Sequence, residues 1–245
     1  MSDDTPAPAG DTRSRRGPDP EDSSVFGQDR HEALRRAAFE VCWLLGRGYP
    51  LSLAVRVAGD HHQLVARARL ALTRGCCSPE SAATRQALCT RTLLGGRVDV
   101  DAFNVIVTLE VARGGGVLFR CADGALRDLA GMRGSYRVVD DTGPAVDLLL
   151  RWLDEEGAQE VHVWIDEPVA NSGRLRALFE KHPSSAGCPV EVHMVRDADR
   201  ELVGRSCVLS ADAMVIERAL SWANAAGSLL GTWAPDAWVV SLAGE

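Results

Sequence analysis

The spacing of apolar positions changes character near residue 96. From His31 to Gly46 they recur at helical intervals: Leu34, Ala37, Ala38, Val41, Leu44 and Leu45 share one side, and Gly46 to Pro50 ends the element. Shorter helical stretches follow over 52–58 and 63–73, with Gly59, Asp60 and His61 read as a turn. Ser78 before Pro79 opens a fourth helix that reaches about residue 91, the serine capping free N–H groups and the proline filling the first helical position. Beyond Gly95 and Gly96, short apolar runs alternate with helical ones. Residues 97–101, 117–120, 161–165, 190–195 and 207–209 read as strands. Residues 104–113, 142–156, 172–182 and 212 to about 226 read as helices, and 238–242 as an edge strand. The predicted fold class is α/β: a small N-terminal helical domain, then a three-layer α/β/α domain with a mainly parallel sheet. The expected boundaries are a disordered tail over 1–29, rich in Pro, Gly, Ser and Asp, a helical domain over 30–95 and an α/β domain over 97–245.

Acids punctuate this pattern. Asp101, Asp166, the pair Asp197 and Asp199, and Asp212 each follow one of four apolar runs. In a parallel sheet the strand carboxyl ends share one edge, where ligands bind. Carboxylates that converge repel one another and resist burial unless a cation sits among them. The arrangement predicts a Mg or Mn site built from Asp101, Asp166, Asp197, Asp199 and Asp212. Asn104, one helical turn past Asp101, is placed to support it. Asn171 and Ser172 sit in a polar turn opening a helix, where backbone N–H groups suit a phosphate. For any one of these acids, a cap or turn role is the commoner explanation; the functional case rests on their number.

Charge sharpens the picture. Residues 31–97 carry ten arginines against four acids, whereas residues 98–245 are strongly acidic and the whole chain has a net charge of -7. A basic helical module beside an acidic one suits an enzyme of nucleic acid, with arginines on phosphates and carboxylates on metal. The seven cysteines form no CxxC pair, and no secretory leader or membrane-spanning run is legible, so reduced thiols in a cytoplasmic protein are expected. His162 and His193 fall inside strands and read as core or sheet-face residues, and His61-His62 as polar surface. Trp222, Trp233 and Trp238 read as core. Oligomeric state is not legible. Neither a GxGxxG nor a P-loop spacing occurs.

Asp101-x-x-Asn104 after a strand, an acid after a later strand, and Ser210-x-Asp212 resemble a PIN-like, NYN-type nuclease domain. With Trp43 to Pro50, Val57 to Asp60, Val100 to Glu110, Asp123-Gly-x-x-Arg127-Asp128, Asp166-x-Pro168, Ser172-Gly173 and Asp199 to Leu202, residues 30 to about 220 resemble an uncharacterised prokaryotic family that joins a helical domain to a PIN-like one. The resemblance implies a metal-dependent nuclease, most readily a ribonuclease, with Asp101, Asp166, Asp199 and Asp212 as catalytic metal-binding acids. Asn104, Arg127, Asn171, Ser172 and Ser210 are the substrate-side polar residues, and RNA is the expected partner. The chain departs from the nuclease pattern at Met214, where such enzymes often carry a second acid; Asp197, Asp123 or Asp128 are the candidates to replace it. Two rival readings remain: a degenerate PIN-like module that binds RNA or protein, and, less favoured, a haloacid dehalogenase-type phosphatase using Asp99-Val-Asp101.

Overall fold

The computed structural model describes residues 15–93, 96–130, 136–181 and 187–243. Its strands are β1 (Arg97–Asp101), β2 (Leu118–Arg120), β3 (Leu126–Asp128), β4 (Glu160–Asp166), β5 (Val190–Val195), β6 (Val208–Leu209), β7 (Trp222–Ala223) and β8 (Val239–Ser241). Five of them form one sheet in the order β5-β4-β1-β6-β7, with every neighbouring pair parallel. The period-two pattern explains why these residues make a sheet. Val98, Val100, Val161, Val163 and Ile165 all turn to one face and are fully buried there. That face is covered by α6 (Ala102–Arg113), α7 (Thr142–Glu155), α8 (Ser172–Lys181) and α11 (Ala225–Trp233). The other face is covered near its carboxyl end by α9 (Ala198–Leu202) and α10 (Ala213–Arg218), packing on Trp164, Val208 and Trp222. The three-layer α/β expectation is therefore met.

Two sequence-based expectations for the α/β half need correction. Residues 212–226 are not one helix. After α10 the chain turns extended at Ala219, and β7 pairs with β6. Trp222 is buried to 1%, and its indole N–H donates to the Arg85 carbonyl at 2.6 Å. Burying that ring in the second layer outweighs a continuous helix, a choice set by tertiary packing. Residues 118–120 are a strand, but not of the parallel sheet: β2 pairs antiparallel with β3 and parallel with β8 in a separate three-stranded sheet.

That small sheet is the seat of the helical region, which comprises α1 (Asp22–Phe26), α2 (His31–Gly46), α3 (Leu51–His61), α4 (Ala66–Gly75) and α5 (Pro79–Leu88). Leu34, Val41, Ala54 and Leu72 share one apolar cluster with Val117, Phe119, Val240 and Leu242. At Gly75 a Cβ would run into Leu242 Cδ1, so a larger residue would have to displace that buried side chain. The helical half thus completes its core with strands from the other half, including one near the C-terminus. Of the expected joint, Gly95 lies outside the described residues.

Of the expected tail, residues 1–14 lie outside the described residues, but residues 15–30 are structured. Phe26 is buried edge-on against Phe119, with ring centroids 5.0 Å apart. Asp22 is buried and paired with Arg67, and Arg16 reaches the fully buried Glu110, which also accepts from Tyr136 at 2.6 Å. Removing residues 1–27 therefore deletes an aromatic anchor, leaves Arg67 without Asp22 and leaves the buried Glu110 without its arginine. The expected cost is about 3–5 kcal/mol, read as an earlier midpoint in urea unfolding. A truncated chain with an unchanged midpoint would return this segment to the status of a tail.

Among the described residues no helix is long and apolar enough to cross a membrane.

Candidate active site at the carboxyl edge of the sheet

Because all five strands run parallel, their carboxyl ends lie on one edge. Asp101 and Asp166 close β1 and β4, Asp197 and Asp199 follow β5, and Ser210 and Asp212 follow β6. From β1 the chain crosses to β4 and β5 on one side, then returns to β6 on the other. The crevice between β1 and β6 is therefore a topological switch point, the usual ligand position in such sheets.

Asp101 sits at that point and is only 5% exposed. Ser210 Oγ donates to its Oδ2 at 2.8 Å across the β1–β6 crevice, and the Asn104 N–H approaches its Oδ1 at 3.4 Å as a helix cap of α6. Asn104 Oδ1 accepts from the Ala211 N–H at 2.7 Å, which ties the same helix to the loop carrying Asp212. Asp212 receives the Met214 N–H at 2.8 Å and caps α10. Asp166 accepts the Ala198 N–H at 2.7 Å, and Asp197 caps α9 through the Arg200 N–H at 3.1 Å. Asp101, Asp197 and Asp212 thus do have the cap role that their local sequence suggests, whereas Asp166 ties β4 to α9.

Their electrostatics add a second role. Burial pushes the Asp101 carboxyl up to about 7; the Ser210 hydrogen bond opposes this, while Asp199 and Asp212 add to it by repulsion. Asp199, whose side chain reaches solvent, is pushed up to about 6 by partial burial and by Asp212, Asp166 and Asp197. Asp166 is raised by burial and, less, by Asp197. Asp199 therefore feels Asp212, Asp166 and Asp197, and Asp101 feels Asp199 and Asp212. The aspartates are gathered along the edge but do not close on one point. Among the described residues, two clusters bring three ligand atoms within 4.8 Å of one another, and neither includes a strand-end aspartate.

Beside the edge lies a groove of about 380 Å³ lined by Asn104, Thr108, Arg127, Asp128 and Asp212, with Arg74 from the helical region on its rim. Sequence reasoning did not place Arg74 or Thr108 here. Thr108 donates to the buried Asp128 at 2.8 Å, and Arg74 bonds the Asp128 carbonyl at 2.9 Å. Burial raises the Asp128 carboxyl despite Thr108 and Arg74.

Three of the expected substrate contacts are otherwise employed. The Arg127 guanidinium is buried, donating to Asp123 at 3.0 and 2.7 Å and to the Ala211 carbonyl at 2.5 Å. Asn171, in a left-handed conformation at φ 63, donates to the Tyr136 carbonyl at 2.7 Å, and Ser172 Oγ donates to the Glu167 carbonyl at 3.0 Å. These side chains shape the loops around the site. Asp123 is also committed, to Arg127 and Arg85, so it does not stand in for the acid absent at Met214. Asp99 is held by Arg97 and by the Trp164 indole N–H at 2.8 Å, which leaves the Asp99-x-Asp101 phosphatase reading without a free first acid.

Comparison with known proteins adds family relationships. Residues 90–228 match a family model described as domain of unknown function DUF5616. Residues 33–87 match one described as protein of unknown function DUF434. An uncharacterised protein of Methanocaldococcus jannaschii is 25% identical over 187 residues, covering 76% of this chain and 89% of that protein. No solved structure matches.

Proposed function

The chain belongs to the family described as domain of unknown function DUF5616, and we propose that it is a PIN-like, metal-dependent nuclease acting on RNA in the cytosol. The observation that carries this reading is the buried Asp101, its carboxyl raised to about 7 beside Asp199 and Asp212 at a topological switch point. Mutually repelling carboxylates with oxygen donors fit a hard dication such as Mg or Mn. Asp101, Asp166, Asp199 and Asp212 are the residues to hold it, with Asp197 adjoining. When bound, such a metal lowers the pKa of a water and offsets charge on a phosphodiester. The chain's own contribution is placement. Ser210 and Asn104 fix the Asp101 carboxylate from both sides of the crevice. The groove past Asn104 leads to Arg74, a cation for a phosphate of the bound strand.

The helical region supplies the rest of the binding surface. Phe39 and Trp43, one helical turn apart on α2, are 67% and 50% exposed, and the Arg47 guanidinium lies 4.8 Å over the Trp43 ring. Exposed aromatics interleaved with arginine are a stacking platform for single-stranded bases. Trp43→Ala is expected to weaken binding of single-stranded RNA by about 1–3 kcal/mol while leaving the melting temperature in place. Filter binding at fixed salt reads the first and differential scanning fluorimetry the second; an unchanged affinity removes this platform from the interface.

Carboxyls at about 6 and 7 also set a pH dependence. A metal needs them ionised, so Mn affinity should rise steeply from pH 5.5 to 7.5 and then level off. A flat profile in calorimetric titration would remove Asp101 and Asp199 from the ligand set.

The functional test is cleavage of labelled single-stranded RNA, structured RNA and single-stranded DNA with Mn, with Mg and with chelator. Metal-dependent cutting of RNA supports the reading. RNA retention without cutting favours instead a binding module, the reading suggested by the 53% exposed Met214 where a second acid was expected.

A further inference from the structure

The polar face of the sheet carries a second cluster, away from the carboxyl edge. Glu191 and His193 are two residues apart on β5 and so share a face, and His162 on β4 stands in register with Glu191. His162 Nδ1 lies 2.7 Å from His193 Nε2 and 3.7 Å from Glu191 Oε2. One ligand atom from each of the three residues falls within 4.8 Å of the others. The placement is well supported. The His193 ring lies parallel to the His162 ring at 5.0 Å and to the Trp164 ring at 4.3 Å. Arg205 caps the far side of Trp164 at 4.3 Å, and Asp99 accepts its indole N–H. On the His162 side, Glu160 Oε1 is 2.7 Å from Nε2, yet out of line for a hydrogen bond, so that buried nitrogen has none. A carboxylate at that distance still favours the proton on Nε2, which leaves a lone pair on Nδ1 facing His193 and Glu191.

We infer that His162, His193 and Glu191 form a binding site for a late first-row transition-metal dication, Zn or Co in class. Two imidazole nitrogens and one carboxylate are the donor set these ions take with a fourth position left to water. They suit neither Mg nor Ca, which select all-oxygen sets. The facing nitrogens share a hydrogen bond when no ion is bound. On a tetrahedral ion they stand about 3.3 Å apart, an opening of about 0.6 Å. A rotation of His193, whose side chain is 24% exposed, supplies it and turns the ring nitrogen toward the ion. Glu191 is exposed and swings in from solvent, so the ion has an open entry path. Glu160 is the positioning residue whose charge beside Nε2 favours this tautomer of His162. The other histidine cluster, Glu40, His61 and His62, lies on the helical surface. It serves as an internal control, because two neighbouring residues of one helix end supply both of its imidazoles.

The test titrates the full chain, stripped with chelator, with Co and follows visible absorption. One equivalent should give the bands of a tetrahedral nitrogen–oxygen site, without thiolate charge-transfer bands, and Zn should displace it. His193→Ala and Glu191→Gln, both at solvent-reaching positions, should each weaken Co binding at least about tenfold. His61→Ala should leave these bands unchanged, which separates this site from the surface pair; Co held by the all-oxygen acidic edge would give only the weak absorption of a six-coordinate ion. The inference is overturned if no Co binds, if His193→Ala and Glu191→Gln bind as the parent does, if His61→Ala is the variant that loses the ion, or if thiolate bands appear. Thermal melts of each variant keep a folding defect from being mistaken for loss of a ligand.

Discussion

Replacing Asp101 by asparagine is expected to lower metal-dependent RNA cleavage on the order of 10²–10³-fold, the scale of losing one preorganised charge at a reacting centre. The substitution keeps the shape, and asparagine Oδ1 can still cap α6, so the fold should survive. A second readout separates catalysis from structure. The Asp101 carboxyl titrates at about 7 in the folded protein against an ordinary 3.8. The folded state therefore holds this proton more tightly than the unfolded chain does. Stability from this group is fully present below about pH 4 and is lost as pH rises through 7. The difference corresponds to on the order of 4 kcal/mol, an upper bound for one buried group. Metal-free Asp101→Asn should consequently be more stable than the parent at pH 8, with a flatter stability profile between pH 4 and 7. Mn should raise the melting temperature of the parent at pH 8 but not that of the variant. A variant that cuts RNA at the parental rate would sink the nuclease assignment. One that melts lower than the parent at pH 8 without metal would mean that Asp101 is a structural cap first.

The second large effect is structural. Asp123, 1% exposed, accepts from Arg127 at 3.0 and 2.7 Å and from Arg85 at 3.0 Å. Arg85 comes from α5, and its other arm reaches Glu217 on α10 at 2.6 Å. Arg127 also holds the Ala211 carbonyl, next to Asp212. One carboxylate thus ties the helical region, the small sheet and the loop of the candidate site together. Asp123→Ala leaves the buried Arg127 with no carboxylate and the buried Arg85 with Glu217 alone, and is expected to cost about 3–5 kcal/mol. The pH sense is opposite to that of Asp101. Burial alone would raise Asp123, but the two arginines outweigh it and hold the carboxyl below its ordinary range. Its stabilisation is present above about pH 4 and is lost as pH falls through the lowered value. Urea unfolding at pH 7 and pH 3 measures both; a cost under about 1 kcal/mol at pH 7 would show that the cluster is relaxed by water rather than sealed.

Much of this architecture is written locally. The helical spacing from Leu34 to Leu45, the Ser78-Pro79 cap and the alternation in 160–166 each fix an element without help from distant residues, because side-chain period and capping are properties of a few neighbours. The same locality placed Asp101, Asp166, Asp199 and Asp212 just beyond strands. Once those strands proved parallel, a common edge followed. Where the sequence misled, the deciding contact was distant. Arg127 looks like a substrate arginine until Asp123 and Ala211 close on it. Residues 15–30 have a tail's composition, yet Arg16 finds Glu110, 94 residues away. The stretch 212–226 scans as one helix, but Trp222 pulls its middle into a strand beneath Arg85. His61-His62 has no Cys or acid cluster with zinc-finger spacing beside it in sequence; folding sets Glu40 beside it, with His62 Nε2 3.0 Å from the carboxylate. His162 and His193 read as core or sheet-face residues, and the sheet face is where they lie, but only the β4–β5 register brings their ring nitrogens 2.7 Å apart with Glu191 beside them. Local pattern determined which elements form and which chemical groups end them. The tertiary structure decided which charges meet, because partners so far apart in sequence are joined only when burial of a shared core fixes register and packing.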